Sequence, residues 1–385
     1  MTNSDHRSAG AVPTSGLRLH SLLTSAGALE LSLESEALPK LAPNEVLVQI
    51  EASPVNPSDL GLLLGAADPA SANSSGVGVS RRTTMSVPEA GRRAMAARAG
   101  KAMTVGNEGA GVVVAAGDEA AALMGRTVGV IGGGMYSQFR ALAADSCQVL
   151  PDEVTPAQGA SWYVNPLTAL GMVETMRLEG HTALVHTAAA SNLGQMLNKL
   201  CQSEGVPLVN VVRSVAQADL LKGLGGQYVC DSSADDFTKA LTEAISETGA
   251  TLAFDAIGGG RTASRILSAM EAAASRKLTA YSGYGSSAHK QVYIYGGLDT
   301  GPTELTRGFG MSWGLGGWLL PLFLGRVGAD RAAELRARVA SEIKTTFASH
   351  YTQSVTLAEL LEPQVLHAIT RKATGEKYLV TPARS

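Results

Sequence analysis

Residues 182–194 read TALVHTAAASNLG, and the parsing of that stretch decides the fold. TALVH is a short apolar run with the length and composition of a buried strand. TAAASNLG is a turn of small residues. SNLGQMLNKLCQSEG then opens on a capping serine and ends at Gly205, as a helix does. A strand, a small-residue turn and a helix in that order bring backbone N–H groups and a helix N-terminus to one place, where a pyrophosphate can sit. Against the spacing G-x-G-x-x-G the three positions hold Ala189, Ser191 and Gly194, so only the last glycine is present. An ordinary strand–helix turn has the same appearance, and the reading rests on what surrounds it.

Downstream the pattern repeats. PLVNVV, QYVCD, TLAFDAIGG and KQVYIYGGL read as strands. VAQADLLKGLGG, SADDFTKALTEAISETG and RTASRILSAMEAAASRK between them read as helices. Strands alternating with helices of this length predict parallel βαβ units in a doubly wound sheet, hence an α/β fold. Upstream the chain is different. EVLVQIEA, TVGNEGAGVVVAAG and GRTVGVIGGGMYSQF predict a β-rich region with glycine turns. Residues 66–103 read as a surface insertion with a short helix at 88–99. Its Arg/Lys cluster reads as a solvated face, with attraction for an anion as the alternative. The first fifteen residues read as a loose polar arm. After Trp318 the chain returns to helix and closes on the strand KYLVTP.

The second strand of the βαβ series bears on the choice of cofactor. An NAD site commonly ends that strand with Asp or Glu for the ribose hydroxyls. Here the strand ends NVVRS, with Arg213 where the acid would stand. Arginine pairs with a 2′-phosphate in fork geometry, and an acid would repel it. NADPH is therefore expected over NADH, with Asn210 and Ser214 as further neutral donors. The alternative is that Arg213 is a surface charge and no more.

Composition narrows the function classes. The chain has 385 residues, 45% apolar and 17% charged, with a net charge of −3. That length suits two domains or one large one. The charge balance offers no electrostatic footprint for nucleic acid or an anionic membrane. Cys147, Cys201 and Cys230 are few and scattered, so neither a disulfide framework nor a zinc site is suggested, and a cytoplasmic location is expected. Residues 308–325, GFGMSWGLGGWLLPLFLG, carry no charge, but their glycines and Pro321 favour a buried or partner-facing segment over a membrane span.

Taken in order, EVLVQIEASPVNPSDL, VGNEGAGVVVAAG, VNPLTAL, AAASNLG, NVVRS, FDAIGGG, VYIYGGL and TGEKYLV resemble the medium-chain dehydrogenase/reductase superfamily, within its zinc-independent NADPH:quinone oxidoreductase and enoyl reductase branch. The resemblance runs from about Leu17 to Pro382. It implies a GroES-like β-rich catalytic domain at residues 1–160 and 317–385, and a Rossmann NADPH-binding domain at 161–316. It further implies that Ser191, Asn192 and Leu193 hold the pyrophosphate and Arg213 the 2′-phosphate. Ile257, Gly258, Tyr295, Gly296 and Gly297 would follow the adenine-ribose and nicotinamide side. Asn56, Thr168 and Lys377 would also lie at the cofactor, and Asp59 would be a buried structural acid. A homodimer through the edge of the Rossmann sheet, near VYIYGGLDT and residues 308–325, is implied as well.

Zinc-dependent relatives carry Cys and His where this sequence has Asn56 and Asn107, and the third ligand position falls near Val164. Amides are poor zinc ligands beside thiolate and imidazole, so no metal is expected. His181 and His186 border the first strand of the series and read as structural. Enoyl thioester reductases keep a tyrosine in a Gly-x-Tyr context after the Ser-Asp pair, and LGAADPA has none. Asn56, Tyr136 and Tyr163 are the candidates for catalytic duty, with Tyr281, Tyr284 and His289 as further groups that a long stretch at 271–290 brings near the cofactor-binding strand edge. The expected function is hydride transfer from NADPH to a small electrophile, a quinone or an α,β-unsaturated carbonyl. The alternatives are an enoyl-thioester reductase and a non-catalytic NADPH-binding structural or regulatory protein.

Overall fold

The computed structural model describes residues 13–371 and 374–385. The arm expected at the start lies, as far as residue 12, outside the described residues. The chain divides into two compact units. One runs to Trp162 and resumes at His350, and the other is Tyr163–Ser349. The second boundary thus falls later than the expected 316/317. The reason is the packing of the helical segment after Trp318. The Trp318 ring lies against Gly171, where a Cβ would come within 2.8 Å of it. Arg331 and Arg338 of the same segment pair with Glu174 and Glu204.

The Tyr163–Ser349 unit contains α1 (Val164–Leu178), β1 (Leu184–His186), α2 (Asn192–Glu204), β2 (Leu208–Val212), α3 (Val215–Gly223), β3 (Tyr228–Asp231), α4 (Phe237–Thr248), β4 (Leu252–Asp255), α5 (Thr262–Ser275), β5 (Lys290–Ile294), β6 (Trp313–Gly317) and α6 (Leu320–Glu342), the last broken at Gly328. Among the described residues the sheet order is β3-β2-β1-β4-β5-β6, every pair parallel. Leu184 stands opposite both Leu208 and Leu252. Helices cover both faces, so the central strands are apolar without alternation, as TALVH and PLVNVV suggested. Val185, Val209, Val211, Ala253, Leu241 and Ile266 form the core on one face.

The strand order reverses between β1 and β4. In open α/β sheets ligands bind there, beyond the carboxyl ends of the strands. Tyr281, Tyr284 and His289 precede β5 and so lie at its amino end, opposite to that position. This corrects the expectation that they approach the cofactor-binding strand ends. The stretch that carries them is tied down by buried Lys290, whose Nζ is 2.5 Å from Glu271 Oε2 and 3.1 Å from Ser286 Oγ. The sheet edge is β6, one strand beyond the VYIYGGLDT edge that was expected.

The other unit is mainly antiparallel. Among the described residues, strands Asn73–Ser75, Arg82–Ser86, Ala28–Ala37, Ser15–Leu23 and Ala102–Thr104 form one sheet in that order. A second sheet is centred on Glu45–Pro54, which pairs with Glu108–Ala116, Phe139–Ala143 and Tyr378–Val380. Residues 66–103 are therefore not a plain surface insertion, since they supply three strands of the first sheet. Their helix is Glu89–Ala94, shorter than expected. Of the basic residues there, Arg81 pairs with Glu362, Arg82 with Glu30 and Glu34, and Arg98 donates to Ser21 Oγ and Leu62 O, while Arg92, Arg93 and Lys101 are exposed, as a solvated face would be.

Candidate functional site

The turn between β1 and α2 is built as the sequence suggested, with one difference. The left-handed residue is Ala188, at φ 51°. An alanine there stores a strain of roughly 1 kcal/mol that glycine would avoid. Ser191 is the N-cap of α2, its Oγ accepting from Gly194 N at 3.1 Å. Gly194 has no room for a side chain, because a Cβ would lie 2.2 Å from Ala189 O. This is the third glycine of the fingerprint, needed for close helix–strand packing. The N–H groups of Asn192 and Leu193 open α2, where the helix end favours an anion. Asn192 Nδ2 is held by Ser349 Oγ at 3.1 Å.

Arg213 follows β2 directly. Its main-chain N donates to Gln217 Oε1, and its exposed guanidinium has no partner among the described residues. Asn210 is not beside it. Asn210 is buried in β2 and donates to Asn198 Oδ1 at 3.1 Å, while Ser214 Oγ caps α3. The neutral donors expected beside Arg213 are thus committed to the core and to a helix cap.

At the ends of β4 and β5 the structure brings Ile257, Gly258, Tyr295, Gly296 and Gly297 together. The organiser is Asp255, which the sequence reading passed over although it is the one charge in LAFD. Its buried carboxylate accepts from Thr187 Oγ1 at 2.7 Å, Ile257 N at 2.9 Å and Gly258 N at 3.3 Å. Gly258 has φ 81°, and a Cβ on it would lie 2.8 Å from Gly296 O. Tyr295 O–H meets Nε2 of buried His186 at 2.7 Å. Burial pushes the His186 imidazole down to about 3, so this ring is neutral. Burial first, then the Asp255 charge, pushes the Tyr295 phenol up. Thr168 sits in α1, its Oγ1 bonded to Val164 O at 2.6 Å.

In the other unit, Asn56, Asp59, Asn107, Glu108, Ser161 and Lys377 form one polar cluster. Asn56 starts helix Pro57–Leu63 and donates through Nδ2 to Glu108 Oε1 at 2.7 Å. Asp59 accepts from Asn56 N and Asn107 N, each at 2.8 Å. Burial outweighs those bonds and pushes its carboxyl up to about 7. Lys377 Nζ donates to Ser161 Oγ at 3.0 Å, and burial lowers it to about 8 against the pull of Glu108 and Asp59. Glu108 was missed in the sequence, and its signal was an acid inside the otherwise apolar EGAGVVVAA strand.

Of the two tyrosines weighed for catalysis, Tyr136 is fully buried and donates to Pro54 O at 3.2 Å. Burial, with the charges of Asp59 and Glu108, raises it well above the ordinary phenol value, which makes it a poor proton donor. Tyr163 is half-buried, with the Arg336 guanidinium 5.9 Å from its ring centre. Among the described residues no group of three His, Cys, Asp or Glu could hold a metal ion, and no helix is long and apolar enough to cross a membrane.

No family model matches the chain. A mitochondrial enoyl-[acyl-carrier-protein] reductase of Xenopus tropicalis is 28% identical over 211 residues, 52% of this chain and 51% of that protein. The chain's matches span about half or less of the length of the curated relatives. Among solved structures, a Mesorhizobium loti protein assigned as an NADPH:quinone reductase superposes with TM-score 0.72 at 24% identity, over 97% of this chain and 100% of its own. A mutant enoyl thioester reductase of Candida tropicalis gives TM-score 0.63 at 20% identity, over 95% and 99%. Over its whole length the chain thus shares the fold of these solved reductases, and over about half of its length or less it is similar in sequence to curated enoyl-[acyl-carrier-protein] reductases and to a synaptic vesicle membrane protein VAT-1 homolog of Rattus norvegicus, 30% identical over 165 residues.

Proposed function

We propose that this chain is a zinc-independent, NADPH-dependent reductase that passes hydride to a quinone or an α,β-unsaturated carbonyl. The observation that carries the reading is the pairing of an anion-ready turn, Thr187–Gly194 at the strand-order reversal, with the exposed guanidinium of Arg213 at the end of β2, which has no partner among the described residues. The similarity to a solved structure assigned as an NADPH:quinone reductase supports it.

In this reading Ser191, Asn192 and Leu193 hold the pyrophosphate, and Arg213 pairs with the 2′-phosphate. Ile257, Gly258 and Tyr295–Gly297 present the ribose and nicotinamide side, held in register by Asp255. Asn56, Thr168 and Lys377 complete the cofactor contacts. NADPH supplies the hydride when bound. The chain supplies orientation and a dry site. Asn56 and Asn107 do not suit zinc. Both are amides, and Asn56 Nδ2 donates to Glu108 while Asn107 Nδ2 donates to Ser58 Oγ.

The rest of the proposal is a cytoplasmic homodimer. Three free cysteines favour a reducing compartment. β6 ends the sheet, and apolar Met311, Leu319 and Leu322 beside it are exposed in the single chain. An apolar open edge of this kind calls for a cover.

Reduction of an enoyl thioester is the second reading, favoured by the curated relative and the Candida tropicalis fold. A non-catalytic NADPH-binding protein is the third, favoured by the missing Gly-x-Tyr. Single-turnover oxidation of bound NADPH, followed with quinones, enones and enoyl thioesters, decides among them. Oxidation by quinones or enones is expected. Turnover restricted to thioesters selects the second reading, and binding without oxidation by any acceptor selects the third.

A further inference from the structure

Arg140 stands on strand Phe139–Ala143 and packs beside Gly134. A Cβ at Gly134 would lie 3.4 Å from Arg140 Nε and 3.3 Å from Thr104 Oγ1. The Nε is buried and has no hydrogen-bond acceptor among the described residues. Arg18, on strand Ser15–Leu23, faces the same group. Its Nη1 is 2.6 Å from Glu36 Oε2, but its own Nε is buried without an acceptor. The other oxygen of Glu36 is already engaged, 2.6 Å from His20 Nε2. One carboxylate therefore serves Arg18 and His20, and among the described residues no carboxylate pairs with Arg140. Burial lowers the pKa of Arg140, the Arg18 charge lowers it further, and Glu36 opposes both. Native chains rarely leave such a group unanswered unless an ion or water answers it. A guanidinium fork matches the oxygens of a tetrahedral anion.

We propose that Arg140 and Arg18, with the Thr104 hydroxyl at their side, form a binding site for an oxyanion of the phosphate class, separate from the nucleotide turn. The two cations outnumber Glu36, which favours a dianion over a simple carboxylate. The anion is either free phosphate or the phosphate of a phosphopantetheine chain. The site does not depend on the reductase reading, since it lies wholly within the antiparallel unit and uses none of the residues assigned to NADPH.

The test is calorimetric titration of inorganic phosphate into the full chain saturated with NADPH, so that the nucleotide turn is filled. One saturable phosphate per chain is expected. Arg140→Gln should weaken it at least tenfold, and Arg140→Lys, which keeps the charge and loses the fork, by less. In phosphate-free buffer Arg140→Gln should melt no lower than the wild type, because the side chain has no partner to lose. Absence of saturable phosphate, an unchanged affinity in Arg140→Gln, or a clearly lower melting temperature without phosphate overturns the site. Displacement of the phosphate by coenzyme A identifies the phosphopantetheine chain as the source. Phosphate binding that coenzyme A leaves untouched identifies the free ion. Both results uphold the site.

Discussion

Gly194→Ala should lower both stability and NADPH affinity, and the structure sets the size of the effect. The new Cβ would stand 2.2 Å from Ala189 O, 2.6 Å from its carbonyl carbon and 2.7 Å from its Cα. An ordinary contact needs about 3.5 Å, so turn and helix must separate by about 1 Å. Overpacking costs roughly 1–3 kcal/mol, and a clash with backbone, which has no rotamer to yield, belongs at the upper end. Alanine in a helix recovers about 1 kcal/mol over glycine, leaving a net loss of about 2 kcal/mol. The displaced segment is the one that presents Ser191 and the first N–H groups of α2. Loss of one charge-assisted bond there is worth about 1.5–3 kcal/mol, a tenfold or greater fall in affinity. Urea denaturation of the free protein reads the first effect, and fluorescence titration with NADPH the second. Gly223→Ala is the control. It ends α3 with no atom within 4 Å of the added carbon, and should be neutral or slightly stabilising. If Gly194→Ala matches the control in stability and binds NADPH as the wild type does, the close-packed turn is not what positions the cofactor.

Other perturbations test separate parts of the account. Arg213→Ala should weaken NADPH by roughly ten- to a hundredfold and leave NADH unchanged, and equal losses for both would remove the 2′-phosphate assignment. Asp59 has its folded pKa raised from 3.8 to about 7 by burial, against its hydrogen bonds from Asn56 and Asn107. Its contribution to stability is thus complete below about pH 4 and is lost as the pH rises through about 7. Asp59→Asn should flatten that decline in denaturation curves taken across the range, and an unchanged slope would contradict the assignment. Leu319 is 56% exposed in the single chain, so Leu319→Asp should leave the subunit folded and shift sedimentation from dimer to monomer. A wild type that sediments as a monomer at micromolar concentration refutes the edge contact.

How far a local pattern reached depended on whether it carried its own physical cause. The alternation of strands and helices after Thr182 was legible because apolar runs, capping serines and terminal glycines are short-range signals. The strand–turn–helix at Thr187–Gly194 and the position of Arg213 after β2 followed from the same signals. Gly194 was singled out as the surviving glycine, and the structure supplies the reason in the Ala189 carbonyl that leaves no room for a Cβ. Asp255 and Glu108 were hidden, since a lone acid in an apolar strand does not announce the amides and hydroxyls that fold against it from distant segments. The same distance dependence governed Asn210, read as a ligand donor from its neighbours in sequence and held instead by Asn198 across the sheet.

Residues 66–103 lacked periodicity because their strands are three to five residues long and are completed by partners elsewhere. The sheet edge was misplaced by one strand because β6, WGLGG, has little side-chain signal of its own. It pairs through backbone beside Gln291 and Tyr293, where glycine lets the chains approach. The sequence alone determined the class of fold, the place of the small-residue strand–helix turn and the position of Arg213 after β2, all set by short-range chemistry, and on these the proposal of a phosphorylated ribose rests. Only the tertiary structure decided which polar groups are already partnered and which, like Arg140 Nε, have no partner among the described residues, because hydrogen-bond satisfaction is a property of groups brought together across the chain.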